Sequence, residues 1–262
     1  MNENHSIIPT KLGLILQRRA PLLIALSGGQ DSSVLLATAK TLDLPIEAAT
    51  IISEFAIPEE IGRAKVMCKQ LGVSWTPIKI QLLKDIEIQS NPMNRCYLCK
   101  QKLMQPLLEL ANDLGCCICD GTHADDSPKE RPGYAVLHQL GVCSPFAEAG
   151  IRKADILFLA KKMGIPRIPP SSCLATRLPF GVTITKERLN LIATAETLLR
   201  RQGVSGILRV RLISNKAVVE VEAWEMKKVF SNINQLKMLG FSNVQVAIYK
   251  EGCVDRWKES TR

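Results

Sequence analysis

The sequence predicts an α/β protein, a parallel sheet with helices on both faces, followed by a small α+β domain. Three observations carry this expectation. Apolar β-type runs at 22–26, 46–52, 74–80 and 115–119 alternate with stretches of helical spacing, the pattern of a parallel sheet whose ligands sit at the carboxyl ends of its strands. The first run passes directly into Ser27-Gly28-Gly29-Gln30-Asp31-Ser32 and then into an apolar-rich helical segment. From Thr185 the order changes to αββαβ, which places a larger domain at 1–182 and a smaller one at 183–262.

At 262 residues the chain is long enough for one large or two modest domains with a full core. Its apolar runs fall far short of the roughly 20 residues that cross a bilayer, and residues 1–10 lack a signal-peptide core, so a cytoplasmic, membrane-free protein is expected. The net charge of +9 suits an anionic partner. On charge alone a nucleic acid and small phosphorylated compounds stand equally open, although the bases are scattered through helical segments and make no dedicated arm for nucleic acid. A homo-oligomer is expected. Nine cysteines in a reducing compartment point to metal binding or catalysis rather than a disulfide framework.

Residues 10–19 read as an amphipathic helix leading into the first strand. The strand, glycine turn and helix that follow bring free N–H groups and the positive end of a helix dipole to one point, where a phosphate belongs. Gly28 and Gly29 let the backbone approach an anion, Ser27 and Ser32 add hydroxyl donors, and Asp31 can fix the loop or hold a metal. No lysine follows the glycines as in a Walker A loop. A strand over 46–52, a helix over 59–71 closed by Gly72, and a strand over 74–80 come next.

Asn91 to Lys100 reads as a loop entering a helix that runs to about 114 and kinks at Pro106. Cys96 and Cys99, two residues apart at that helix start, can grip one metal. The strand over 115–119 ends in Asp120-Gly121-Thr122, which should face the nucleotide. Cys116, Cys117 and Cys119 read as small core residues, and Cys68, Cys143 and Cys253, without partners at metal spacing, as structural. Arg131-Pro132-Gly133 is a polar turn before a helix, and a helix spans 153–163. The proline-rich stretch 165–170 presents a rigid loop carrying Cys173 and Arg177, where the cysteine looks exposed, electropositive and chemical.

In the second domain Thr185 N-caps a helix over 186–201, followed by strands at 207–213 and 217–223, one helix over 226–239, and a strand at 244–249. Alternation puts Arg209 and Arg211 on one face, and Glu220 and Glu222 on one face of the partner strand. From the residues alone these read as exposed cross-strand ion pairs of little energetic weight.

The loop at 27–32 resembles the Ser-Gly-Gly-x-Asp-Ser loop of the PP-loop ATP pyrophosphatases, which implies the adenine-nucleotide alpha-hydrolase-like fold. Over about 10–250 the chain resembles, more specifically, the LarE family of PP-loop sulfur transferases. The matches are Arg95-Cys96-Tyr97-x-Cys99-Lys100, Asp120-Gly121-Thr122, Arg131-Pro132-Gly133, Ser144-Pro145 with Glu148-Ala149-Gly150, and 173–177 through Pro179-Phe180-Gly181.

This resemblance implies ATP with Mg2+ as cofactors, a pyridinium dicarboxylate mononucleotide as substrate, its activation as an adenylate, and displacement of AMP by sulfur to give a thiocarboxylate in nickel-pincer nucleotide biosynthesis. It implies ATP contacts at Ser27, Gly28, Gly29, Asp31, Ser32, Gly121 and Thr122. It implies catalysis at Cys173 and Arg177, and substrate or phosphate contacts at Arg131, Glu196, Arg209, Arg211 and Glu220. Cys96, Cys99 and Cys173 together imply a [4Fe-4S] cluster, with zinc in the same trio, or a sacrificial Cys173 without metal, as alternatives. Thr176 replaces the family's usual serine. Lys250 replaces an arginine in the tail and cannot offer a bidentate fork. A tRNA thiolase of the same superfamily is the competing function.

Overall fold

The computed structural model describes residues 7–126 and 133–250. The chain forms two compact units: Met1–Ile52, Pro58–Ile80 and Cys96–Ile168 make the first, and Ser53–Ile57, Gln81–Arg95 and Pro169–Arg262 the second.

In the first unit, β1 (Leu22–Ala25), β2 (Ile46–Ile52), β3 (Ser74–Lys79) and β4 (Cys117–Cys119) form one sheet in the order β3-β2-β1-β4, and every pairing is parallel. The helices are α1 (Thr10–Arg19), α2 (Gln30–Thr41), α3 (Pro58–Leu71), α5 (Arg95–Asp113, its first residue belonging to the second unit), α6 (Gly133–Gln139), α7 (Pro145–Ala149) and α8 (Lys153–Lys162). The strand β1 shows why the sheet is covered twice. Its side chains alternate, so Leu22 and Ile24 enter a core with Leu12 and Leu16 of α1 and Leu35 of α2. Leu23 enters another core with Met104, Leu107 and Ala111 of α5 and Leu137 of α6. Each such buried Leu or Ile stabilises the fold by about 1.5–3 kcal/mol.

Two local departures from the expected elements have plain causes. The strand β4 begins at Cys117 because Gly115 takes φ 62° and Cys116 N–H still bonds Ala111 O, closing α5. The segment Pro145–Ala149, to which the sequence assigned no element, is the short helix α7, opened by Pro145 at its first turn and closed by Gly150 at φ 76°.

The second unit contains α4 (Ile86–Gln89), α9 (Lys186–Arg201), α10 (Met226–Phe230) and α11 (Ile233–Met238), with a sheet of β5 (Leu208–Ile213), β6 (Lys216–Val221) and β7 (Asn243–Ile248). β5 and β6 are antiparallel, β6 and β7 parallel. Thr185 caps α9 as expected, its Oγ1 accepting from Arg188 N at 3.3 Å. The single helix expected over 226–239 is two. Ser231 Oγ donates to Lys227 O and Asn232 Nδ2 to Lys228 O, so these side chains compete with the backbone ladder where it breaks. No helix among the described residues is long and apolar enough to cross a membrane.

Candidate functional site

In the order β3-β2-β1-β4, α2, which follows β1, packs into one core and α6, which comes after β4, into the other, so a crevice forms beyond the carboxyl ends of these neighbouring strands. A cleft of about 380 Å³ lies there, lined by Ser27, Gly29, Asp31 and Ser32 from the loop after β1 and by Asp120, Gly121 and Thr122 from the segment after β4. Cys96 and Lys100 of α5 complete it. The helix α2 begins with no side-chain cap at Gly29, leaving its first N–H groups toward this cleft.

The loop is shaped by its small residues. Ser27 Oγ and Ser32 Oγ lie 3.1 Å apart, Gly29 N donates to Ser27 Oγ at 3.3 Å, and Ser27 N to Ser32 Oγ at 3.2 Å. Gly28 has φ 79°, and a Cβ on it would stand 2.0 Å from Glu60 O, so only glycine fits. A Cβ on Gly121 would stand 2.8 Å from Ser32 N, which is how closely the two loops approach. Arg63 Nε holds Gly28 O at 3.1 Å, and Asp31 Oδ1 receives Lys153 Nζ at 2.5 Å. Asp120 accepts from Thr122 Oγ1 at 2.6 Å and from Ser144 Oγ at 2.7 Å, fixing the opposite wall.

In the second unit, Cys173 precedes a single turn of 3-10 helix, Leu174–Arg177. Its thiol is half-buried and its backbone is pinned, since Cys173 O accepts from Thr176 Oγ1 at 2.7 Å and from Arg177 Nη1 at 3.3 Å. Leu174 N donates to Phe55 O at 2.8 Å. Arg95, 1% exposed, donates to Asn91 Oδ1 and, at 3.1 Å, to Ala175 O, while its guanidinium lies 5.6 Å from the Phe180 ring.

The exposed ion pairs expected on β5 and β6 are in fact buried: Arg209, Arg211 and Glu220 are 5%, 4% and 3% exposed. The segment preceding α9 folds over this face, with Pro170 O accepting from Arg209 Nη2 at 2.9 Å and Thr176 O from Arg211 Nη1 at 2.8 Å. Arg211 Nε meets Glu220 Oε2 at 2.8 Å, and Glu196 of α9 takes Arg177. Arg209 has no carboxylate in ion-pair contact among the described residues and lies 5.7 Å from the Tyr249 ring. Burial, reinforced by the charge of Arg177, pulls Arg209 down to about 10. Arg131 lies outside the described residues, as do Pro132 and Cys253.

One grouping was missed by spacing alone. Cys143, expected to lack partners, has its sulfur within 4.8 Å of those of Cys117 and Cys119. A parallel bridge between Cys119 and Cys143 makes the encounter. Thiol hydrogen bonds from Cys119 and Cys143, and the guanidinium of Arg19, hold Cys117 far below the ordinary thiol range against the effect of burial. No disulfide occurs among the described residues.

No family model matches the chain. Curated relatives do. It is 34% identical over 232 residues to the uncharacterized protein MJ0830 of Methanocaldococcus jannaschii, covering 85% of this chain and 87% of that one. It is 32% identical over 216 residues to the uncharacterized protein slr1717 of Synechocystis sp., covering 81% and 80%. With the pyridinium-3,5-bisthiocarboxylic acid mononucleotide synthase of Lactiplantibacillus plantarum it shares 29% identity over 232 residues, 84% of this chain and 83% of that one. The chain belongs to the LarE family. The segments that carry the LarE pattern fall in both units: Cys96, Cys99 and the phosphate loop in the first, Cys173, Arg177 and the buried arginines in the second.

Proposed function

We propose that this LarE-family chain is an ATP-dependent sulfur transferase that activates a carboxylate of a pyridinium dicarboxylate mononucleotide and converts it to a thiocarboxylate. The observation that carries the reading is a thiol, Cys96, lining the same cleft as the phosphate loop. A carboxylate is a poor electrophile. Its oxygen attacks the α-phosphorus of ATP, pyrophosphate leaves, and the resulting acyl adenylate carries AMP as a leaving group. Sulfur then attacks the acyl carbon, and the carbon–oxygen bond to AMP breaks with AMP taking the electron pair.

The backbone N–H groups at the start of α2 and the hydroxyls of Ser27 and Ser32 bind the pyrophosphate end, where the helix dipole favours negative charge. Asp31, on the cleft wall, is the carboxylate that would hold Mg2+, which offsets phosphate charge. Arg209 binds the phosphate of the mononucleotide, with Arg211 and Glu220 shaping the wall beside it. Arg177 positions Cys173 through the backbone it holds.

The LarE resemblance names Cys96, Cys99 and Cys173 as the residues that would hold an iron–sulfur cluster; Cys96 and Cys99 share one helix face in the first turn of α5, and Cys173 is pinned and half-buried in the second unit. Held by these cysteines, such a cluster would supply a sulfide for transfer to the acyl carbon. The test is to supply ATP and the acid mononucleotide and measure pyrophosphate, AMP and thiocarboxylate, comparing the intact protein with Cys173→Ala. Pyrophosphate release is retained and thiocarboxylate is lost in the variant. Absence of pyrophosphate from the intact protein, or equal loss of adenylation in Cys173→Ala, overturns the reading.

A further inference from the structure

We propose that Cys117, Cys119 and Cys143, with Glu148, form a second metal site, separate from the nucleotide cleft, for a thiophilic d10 ion such as zinc. The three sulfurs lie within 4.8 Å of one another, and Glu148 Oε1 accepts from Cys143 Sγ at 3.3 Å. With Zn–S near 2.3 Å and Zn–O about 2.0–2.2 Å, the edges of a tetrahedral site are about 3.5–3.8 Å. The carboxylate is at edge length from Cys143 Sγ and has to swing toward the other two sulfurs. The sulfurs need to close by no more than about 1 Å, within reach of rotation about χ1.

The backbone carries these groups on rigid supports. Cys117 and Cys119 are alternate residues of β4 and share a face of the sheet. Cys143 is clamped beside them, since Cys143 N donates to Ile118 O at 2.9 Å and Asp120 N to Cys143 O at 2.9 Å. Glu148 Oε1 also accepts from Ser144 N at 3.3 Å, which orients the carboxylate, and Arg19 Nη2 meets Glu148 Oε2 at 3.4 Å. This second sphere matters electrically. Three thiolates, one carboxylate and a divalent cation sum to a double negative charge, and Arg19 offsets part of it. Cysteines acting only as small hydrophobes have no use for a carboxylate against one of their sulfurs.

Access and consequence follow from the same geometry. Cys119 and Cys143 are buried, but Cys117 is half-buried and the Glu148 side chain is 38% exposed, so an ion can enter from that side and thiol protons can leave to solvent. None of the four residues lines the nucleotide cleft. Cys119 nevertheless immediately precedes Asp120, and Ser144, next to Cys143, bonds that aspartate, so a bound ion would stiffen the cleft wall.

Because the proposed function uses Cys96, Cys99 and Cys173, the experiment is done in the full chain with all three changed to serine. Under reducing conditions Co2+ and Zn2+ are added in turn, and bound metal is counted after gel filtration. About one equivalent per chain is expected, with thiolate charge-transfer and tetrahedral Co2+ absorption and a higher melting temperature. Adding Cys117→Ser is expected to weaken binding at least tenfold and reduce the charge-transfer band. Adding Glu148→Gln, which keeps every sulfur, is expected to weaken binding and shift the tetrahedral bands. No retained metal in the triple-serine protein, or spectra and affinity indifferent to both changes, overturns the site without touching the sulfur-transfer reading.

Discussion

Arg177 and Glu196 form a buried fork, with Nε 2.8 Å from Oε1 and Nη2 3.2 Å from Oε2. The remaining guanidinium nitrogen, Nη1, reaches Ser172 O, Ser172 Oγ, Cys173 O and Thr176 Oγ1 between 2.8 and 3.3 Å. One side chain therefore connects α9 to the loop that presents Cys173. Its own surface is fully covered, so it braces this loop from within the fold.

The fork predicts a large asymmetry between conservative and truncating changes. Arg177→Met leaves Glu196 buried without its cation and should cost about 3–5 kcal/mol in urea unfolding. Arg177→Lys keeps the charge but cannot span both the carboxylate and the loop. Its stability loss should be smaller, while thiocarboxylate formation falls at least tenfold with pyrophosphate release preserved. Parallel loss of both products would place Arg177 in adenylation instead.

Glycine substitutions separate steric need from simple flexibility. Gly28→Ala forces Cβ to within 2.0 Å of Glu60 O at φ 79°, so it should destabilise the first unit by more than about 1 kcal/mol and abolish detectable ATP binding. Gly62→Ala lies within α3 with nothing near its Cβ and should stabilise by up to about 1 kcal/mol without changing ATP affinity. Thermal melts and nucleotide titration of the two variants check both halves.

The parts of this molecule that were readable in advance are those set by neighbours along the chain. The glycine loop, β2 at 46–52 and the Thr185 cap depend on turn chemistry and periodicity within a few residues. What escaped depends on contacts distant in sequence. Cys143 meets Cys119 only through a parallel bridge across 24 residues, and no spacing rule encodes that. Arg209 and Arg211 alternate as a solvent-facing stretch would, yet the 170–177 segment covers them, so alternation identified their shared face and not its burial. Glu225, deeply buried, offered no signal beyond one acidic residue before a helix.

Arg209 makes a counterintuitive prediction. Its depressed basicity, about 10 against an ordinary 12.5, means that keeping it charged opposes folding at neutral pH by about 3 kcal/mol, an opposition relieved only as pH rises above 10. Arg209→Met removes that opposition and loses the bonds to Leu208 O and Pro170 O, each worth about 1 kcal/mol. Stability should change by no more than about 1–2 kcal/mol, in contrast with Arg177→Met. Inorganic phosphate should raise the melting temperature of the unsubstituted protein and leave that of Arg209→Met unmoved. A variant that still responds to phosphate would remove Arg209 from anion binding.

Glu225 should dominate the acid sensitivity of the second unit. Burial by itself raises its pKa, but Lys228 Nζ at 2.7 Å, the N–H groups of Ser205 and Gly206, and the Ser205 hydroxyl outweigh this and bring the carboxyl to about 2. The unfolded carboxyl titrates near its ordinary 4.5, so the folded state binds its proton later. The stabilisation is therefore complete above pH 4.5 and is lost as pH falls toward 2, with an upper bound of about 3 kcal/mol. Glu225→Gln should lower stability at pH 7 and flatten this acid limb, because nothing at that position is left to titrate. Urea unfolding at a series of pH values reads the slope directly. An acid limb equally steep in Glu225→Gln would assign the loss to other carboxylates.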